Sequence, residues 1–481
     1  MTVIHLIKKS VNFVVQDKSS LFIFIYVLLS ISIWAIFYPA LMSTDSIYHY
    51  QDAVNGFYND FHPPLLPITL SGILSIGFDI GFLMLIQCVA GSLGIRILSI
   101  SVQKSFMDNQ LSSTEMELIA LTTFGILLIP VSPLIFYLMT FWKDAWLAIF
   151  LIWAFALSIH LYNEADTSQN LIFYPEFFIL AFIIALAALT RHNAVVILFS
   201  LCIATWMIMR RRNIGGAYLL ALSPLVFYFI LNQVQYDYFN VARTHPGKYI
   251  MALDLVGLCV ESQNICDELP NLKKHLRKDY RYRYVSGYVG PIFWESPTII
   301  DHEYFREENR PKIIEEYKFA IMKYPQTLVK VKIKAFWSLL GIREKLRIFY
   351  PGIKKNTFGL SLNHRFENIR DKLIRAGIKL SKHKFLRFIS CVPLVWIFIN
   401  LLWALGVMIL YNKNRNPKYL FYLTLLGTTI IYYGSYLLAT PDHAYRFTYP
   451  STLIIQILTV STILVFFFRL MKFHAKGTPE T

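Results

Sequence analysis

The chain has 481 residues, 56% of them hydrophobic, 16% aromatic and only 16% charged. Soluble domains average about 45–50% apolar and about 25% charged residues, so the balance excludes a string of water-soluble domains and assigns most of the length to lipid. The formal net charge of +16 raises nucleic acid as a partner. Much of that charge instead flanks apolar runs, where Lys and Arg orient membrane helices, and no nucleic-acid partner is expected.

In chain order, lysines precede an apolar run as in a signal peptide, but no small-residue cleavage site follows it. The run therefore reads as an uncleaved first span. A helix needs about 20 apolar residues to cross the hydrocarbon core. Ten candidates follow: 21–41, 79–100, 117–138, 145–162, 176–190, 194–209, 214–232, 389–411, 418–438 and 450–469. The stretch 65–77 is apolar but short and opens with Pro63, Pro64 and Pro67, which predicts an interfacial or re-entrant helix. The organisation expected is a cytoplasmic N-terminus (1–20), a transmembrane core (21–232, with a first outer loop at 42–64), an extracytoplasmic domain (233–388), C-terminal transmembrane helices (389–469) and a cytoplasmic tail (470–481).

Charge placement supports ten spans with both termini inside. The cytoplasmic ends then hold Lys8, Lys9, Lys18, Arg96, Lys104, Arg210, Arg211, Arg212, Lys413, Arg415, Lys418, Arg469, Lys472 and Lys476, while the short outer loops hold only Lys143, Arg191 and Arg446. The polar region 233–388 lies outside on this count, which is acceptable because long domains translocate largely regardless of charge. Within it, 311–338 reads as helical with a break at Pro325. The part after the break alternates apolar and basic residues, as a membrane-surface element or an ordinary helix of a small domain would. Cys259 and Cys266 are the cysteines of this polar region; a bond between them and two free thiols both stay open.

Ionisable residues cluster at the outer ends of the spans, where a charge near hydrocarbon is costly and tends to mark a site. The first loop holds Asp45, His49, Asp52, Asp60 and His62. Trp142-Lys143-Asp144 opens a span, Arg191-His192-Asn193 forms a tight tip, and Pro441-Asp442-His443-Ala444-Tyr445-Arg446 precedes Tyr449-Pro450. This set suits transfer from a lipid phosphosugar. A carboxylate takes the proton of an acceptor hydroxyl, and cations stabilise the charge developing on the departing phosphate. Trp142, Tyr445 and Tyr449 either stack on sugar or belong to the interfacial aromatic belt. His49, His192 and His443 with the acids could hold a divalent metal, but no spacing is diagnostic and no cofactor is assigned. Walker A, GxGxxG, HExxH and CxxC patterns are absent from the sequence, which disfavours nucleotide-driven transport and common zinc hydrolases.

An aspartate just after the first span, then aromatics, then Asp60-Phe61-His62-Pro63-Pro64-Leu65 leading an apolar helix, resembles the GT-C superfamily of multi-spanning glycosyltransferases. Its style is similar to bacterial relatives of the dolichyl-phosphate-mannose protein mannosyltransferases, over residues 20–230 and the last two spans. The resemblance implies an all-α polytopic fold and a polyprenyl-phosphate sugar donor of the undecaprenyl type. It also implies a lipid-linked glycan or cell-surface acceptor and a bacterial inner membrane. It makes Asp45 the general base, with Lys143, Arg191 and Arg446 on the carrier phosphate. His62, Asp144, His192, Asp442 and Tyr445 complete the expected substrate-binding set. Two departures stand out: Asp45-Ser46 replaces the paired acids of many members, and no lysine follows the double proline. Two other functions fit the same membrane setting: a polymerase or ligase using a diphosphate-linked glycan, and a flippase or transporter of lipid-linked sugar.

Overall fold

The computed structural model describes residues 19–476 apart from 107–110, 130–131, 165–174, 213–216, 343–345 and 441. Among the described residues the regular elements are helices, and extended segments meet only in isolated bridges. The first half comprises α1 (Ser20–Phe37), α2 (Thr44–Asn55), α3 (Leu65–Ser75), α4 (Ile80–Phe106), α5 (Ser113–Leu128), α6 (Lys143–Asn163), α7 (Pro175–Leu189), α8 (Ile197–Arg211) and α9 (Ser223–Asp237). The second comprises α10 (Gly247–Glu261), α11 (Arg310–Lys323), α12 (Pro325–Leu339), α13 (Glu367–Lys382), α14 (Lys384–Cys391), α15 (Pro393–Asn414), α16 (Pro417–Leu438) and α17 (Tyr449–Lys476), with shorter turns between.

Seven of these are long and apolar enough to cross a membrane: α1, α4, α6, α8 with the turn before it, α15, α16 and α17. That is the pattern of a polytopic membrane protein. The expected span 117–138 is not one helix, because α5 stops at Leu128 and Leu134–Leu138 is a separate short turn. Pro133 caps that turn, and a proline cannot continue the helix before it. At 16 residues α5 is about 24 Å long, short of the roughly 30 Å hydrocarbon core. α7 and α9, of 15 residues each, are shorter still. The stretch expected at 214–232 is divided between a short turn at Ala217–Ala221 and α9. α3 has 11 residues, too few to cross. Lys8, Lys9 and Lys18 lie outside the described residues.

α6 is the axis of the bundle. It is buried over 78% of its most apolar stretch, against 17% for α15. A helix apolar all round and covered all round belongs at a centre, and α6 packs on α4, α7, α8 and α17. α15 instead exposes Phe398, Leu401, Leu402 and Leu405, a continuous apolar face of the kind lipid covers.

Arg96, expected as a cytoplasmic-end charge, is buried within α4. Its guanidinium grips the Glu117 carboxylate of α5 with two hydrogen bonds, Nε to Oε2 at 2.9 Å being one. α5 itself starts cleanly: Ser112 Oγ accepts from Glu115 N at 3.3 Å while Glu115 Oε2 accepts from Ser112 N at 2.8 Å, a reciprocal cap.

The region 233–388 divides in two. α10, α11 and α12 surround a second core around Leu255, Val256, Ile292, Ile300, Ile313 and Val331, and a disulfide joins Cys259 to Cys266. Gly257 lets α10 approach α12, since a Cβ there would lie 2.5 Å from Val331 Cγ1. α12 packs one face into this unit, turning Leu328 and Val331 inward and giving Lys330 and Lys334 to Glu261, while Val329, Ile333 and Trp337 stay exposed. Residues 346–363 instead thread back over the end of the bundle. Met42 N donates to Gly352 O at 2.8 Å, Tyr445 N to Arg347 O at 3.0 Å, and Asn363 N to Tyr38 O at 3.1 Å.

Removing one half of a buried ion pair strands the other half. Glu117→Ala is expected to lower the unfolding free energy by about 3–5 kcal/mol, whereas replacing Arg96 and Glu117 together by Met costs much less. Thermal unfolding of the solubilised variants measures both; equal losses for the single and the double change would count against the pair.

Candidate active site

The loops expected to share a face do meet, at the end of the bundle formed by the C-terminus of α1 and the N-termini of α6, α8 and α17. α2 is held here by its own sequence. Ser43 N donates to Ser46 Oγ at 3.1 Å across the first turn, and Gly56, at φ +66°, ends the helix in the left-handed conformation that glycine adopts without strain. Asp45 therefore stands in the first turn, where the positive end of the helix favours a carboxylate.

Asp45 Oδ2 lies 2.6 Å from an Arg446 guanidinium nitrogen. Its Oδ1 faces His62 Nε2 at 4.0 Å, and His62 Nδ1 lies 2.6 Å from Lys143 Nζ. The Arg446 guanidinium stands over the Trp142 ring, 5.2 Å from its centroid, and 5.0 Å from that of Phe447. Trp142 is fixed in turn by donating Nε1–H to Ser43 Oγ at 2.7 Å. The carboxylate is the outward member of the pair: the Asp45 side chain is 25% exposed and that of Arg446 15%.

Burial works to raise the Asp45 carboxyl, but Arg446, backed by His62 and Lys143, holds it well below the usual carboxylate range. Burial and the Lys143 charge both push His62 well below its ordinary value, so the imidazole is neutral. Burial pushes His49 down to about 3, and Lys143 adds to the effect. His49 is 5.2 Å from His62, ring to ring, and its buried Nε2 has no hydrogen-bond partner in the protein.

Around this centre the other acids are already matched. Asp144, fully buried, pairs with Arg191, whose guanidinium also stands 4.5 Å from the centroid of Phe447. Asp442 pairs with Arg347 from the returning segment, and its Oδ1 lies 3.8 Å from His443 Nδ1. Asp144 Oδ2 and Asp442 Oδ1 are buried without a hydrogen-bond partner.

Not every expected residue faces this centre. Tyr445 is fully buried, donates its hydroxyl to Ser390 O at 3.2 Å and packs against Tyr449 and Tyr137; it is a core residue under the site. His192 is exposed and donates Nε2–H to Asp60 O at 2.9 Å, so it braces the loop. Asp60 accepts from Thr244 Oγ1 at 2.8 Å and from Tyr236 at 3.2 Å, a clamp on the chain leading into α10. Arg347 escaped sequence reasoning because only the fold returns its segment to Asp442. Trp142, read as belt or sugar platform, carries a cation on its face. As for a metal, the donor atoms close enough to share an ion among the described residues belong to His275, Asp301 and Glu303, in the unit around α10.

No family model, curated protein or solved structure matches the chain. Its functional reading therefore rests on this geometry.

Asp52, on α2 beyond His49, is half-buried, and burial pushes its carboxyl up to about 6. A raised acid stabilises the fold only while protonated, so its contribution falls as pH rises from the unfolded value through about 6. Asp52→Asn should therefore raise the thermal midpoint at pH 7.5 and leave it unchanged at pH 4. A scan showing the same shift at both pH values would reject this.

Proposed function

We propose that the chain is a membrane glycosyltransferase that moves a sugar from a polyprenyl-phosphate donor of the undecaprenyl type to a glycan, lipid-linked or on the cell surface. The observation that carries the reading is one partly open carboxylate, Asp45, ringed by Arg446, Lys143 and neutral His62 at the end of an apolar helix bundle. Base and phosphate-binding cations adjoin at the lipid boundary, where a lipid-linked donor would present its phosphate. The likeness of the first loop to the GT-C superfamily points the same way.

In this mechanism Asp45 Oδ1 accepts the proton of the acceptor hydroxyl. The acceptor oxygen bonds to the anomeric carbon as the bond from that carbon to the phosphate oxygen breaks, and the electron pair leaves with the phosphate. A single displacement inverts the anomeric centre. Arg446 meets the charge on the leaving group, with Lys143, behind His62, as a second cation nearby, while Arg191, committed to Asp144, holds the floor of the site. Ten spans, counting α5, α7 and α9 as short crossings, would put both termini in the cytoplasm. The site and the unit around α10 would then face outward from a bacterial inner membrane. The Cys259–Cys266 bond agrees with that side, because disulfides persist in oxidising compartments.

A transporter is the second reading, and the buried Arg96–Glu117 pair favours it, since ionisable groups inside membrane helices often mark a pathway. Reconstituted protein offered polyprenyl monophosphate and diphosphate sugars separates the readings. Consumption of monophosphate donor with an inverted linkage is expected. Movement of lipid-linked sugar across vesicles without a new glycosidic bond would establish transport, and a diphosphate requirement would establish the polymerase or ligase.

Asp45→Asn is expected to lower kcat by about 10²–10⁴-fold, the usual contribution of a general base. The pH profile adds a signed test. With Asp45 held low it stays ionised, and kcat/KM has no acid limb from it between about pH 5 and 7. Arg446→Ala removes the largest of the influences that hold Asp45 down, so the acid limb of its residual activity should move to higher pH. An unchanged profile would remove Asp45 from the base role.

A further inference from the structure

The Asp45 carboxylate is tied up in the state seen here. One oxygen lies against Arg446, and the other faces the Nε2 side of His62, which Lys143 holds from behind. The other acids near Arg446 have their own cations, Asp144 in Arg191 and Asp442 in Arg347. Asp45 is thus the one carboxylate that Arg446 neutralises directly among the described residues. Arg446 cannot simply swing away, because Trp142 and Phe447 lie on its faces and Trp142 is pinned to Ser43.

Resting on the reading above, we propose that Asp45 and the donor phosphate compete for Arg446, so that the donor itself frees the base. Before the donor arrives, a guanidinium-bound carboxylate is a poor proton acceptor and cannot activate water. When the phosphate takes the donors of Arg446, the carboxylate loses its counter-charge while His62 and Lys143 stay behind it. It becomes a stronger base only when there is a sugar to transfer. No bond is made or broken in this step; one anion replaces another on the same guanidinium. A ligand can shift such an equilibrium only through contacts that differ between the two states, and Arg446 is that contact.

Competition predicts that removing Asp45 tightens donor binding even as it destroys turnover. Undecaprenyl monophosphate, without sugar, is titrated into the full-length protein in nanodiscs by calorimetry. Asp45→Asn should bind it about tenfold more tightly than the wild type, Asp442→Asn less than about twofold more tightly, and Arg446→Ala much more weakly. Equal tightening in both aspartate variants would reduce the effect to general charge and overturn the competition. Unchanged affinity in Asp45→Asn would overturn it too, while leaving the glycosyltransferase reading intact. Absence of binding in the wild type as well would overturn that reading and the inference together.

A wild-type readout needs no variant. His49, His62, Lys143 and Arg446 surround Asp45. Loss of Arg446 to the phosphate should move the acid limb of kcat to higher pH than that of kcat/KM, because the first reports the donor complex and the second the free enzyme. Coincident limbs would overturn the proposal.

Discussion

A charge taken out of water must be neutralised where it stands, and the site is arranged around that constraint. Asp45, Asp144 and Asp442 each find an arginine, and each arginine comes from a segment far away in sequence. The pairs do more than cancel charge. They tie the loop after α1 to the loop before α17, the start of α6 to the start of α8, and the returning segment to the loop after α16. The ion pairs that make these carboxylates tolerable where they are buried also place the segments together. Breaking any one strips a carboxylate of its counter-charge and loosens a joint in the site.

Much of this was legible in the sequence because lipid imposes a coarse code. Long apolar runs can only be helices in a bilayer, so α1, α4, α6, α8, α15, α16 and α17 could be read directly. Polar residues interrupting the ends of such runs marked Asp45, Lys143, Asp144, Arg191 and Arg446, and these five do gather at one end. The less legible spans were those where prolines cut a run or where the helix is shorter than the apolar stretch, as in α5 and α9. Hydropathy measures composition over a window and is blind to where the backbone stops.

Pairing was not legible. Sequence places Arg96 in a positive-inside tally, but only the packing of α4 on α5 reveals Glu117 as its partner. Position just past the first span singled out Asp45, but nothing local shows that Asp60 is a buried clamp on Thr244 and Tyr236. Tyr445 shows the converse. It adjoins Arg446 in sequence, yet in the short turn 445–447 successive side chains point apart, and its ring goes down into the core. Arg347 lay beyond reach because 95 residues separate it from Asp442 and only the fold brings the two together.

That returning segment has a consequence of its own. Its backbone is bonded to Met42 on one side and, through Arg347, to Tyr445 on the other, one residue from Arg446. The spacing of carboxylate and guanidinium is therefore set by main chain, like the jaws of a clamp held by a spacer. The unit around α10, with its own core and disulfide, hangs outside that spacer. It is coupled to the jaws all the same, because Tyr249 and Phe293 pack on Phe61, next to His62, and Tyr288 packs on His443. Between the spacer's two anchors, residues 347–354 set its length, and a single added or deleted residue there would change the gap between Asp45 and Arg446 while leaving both in place.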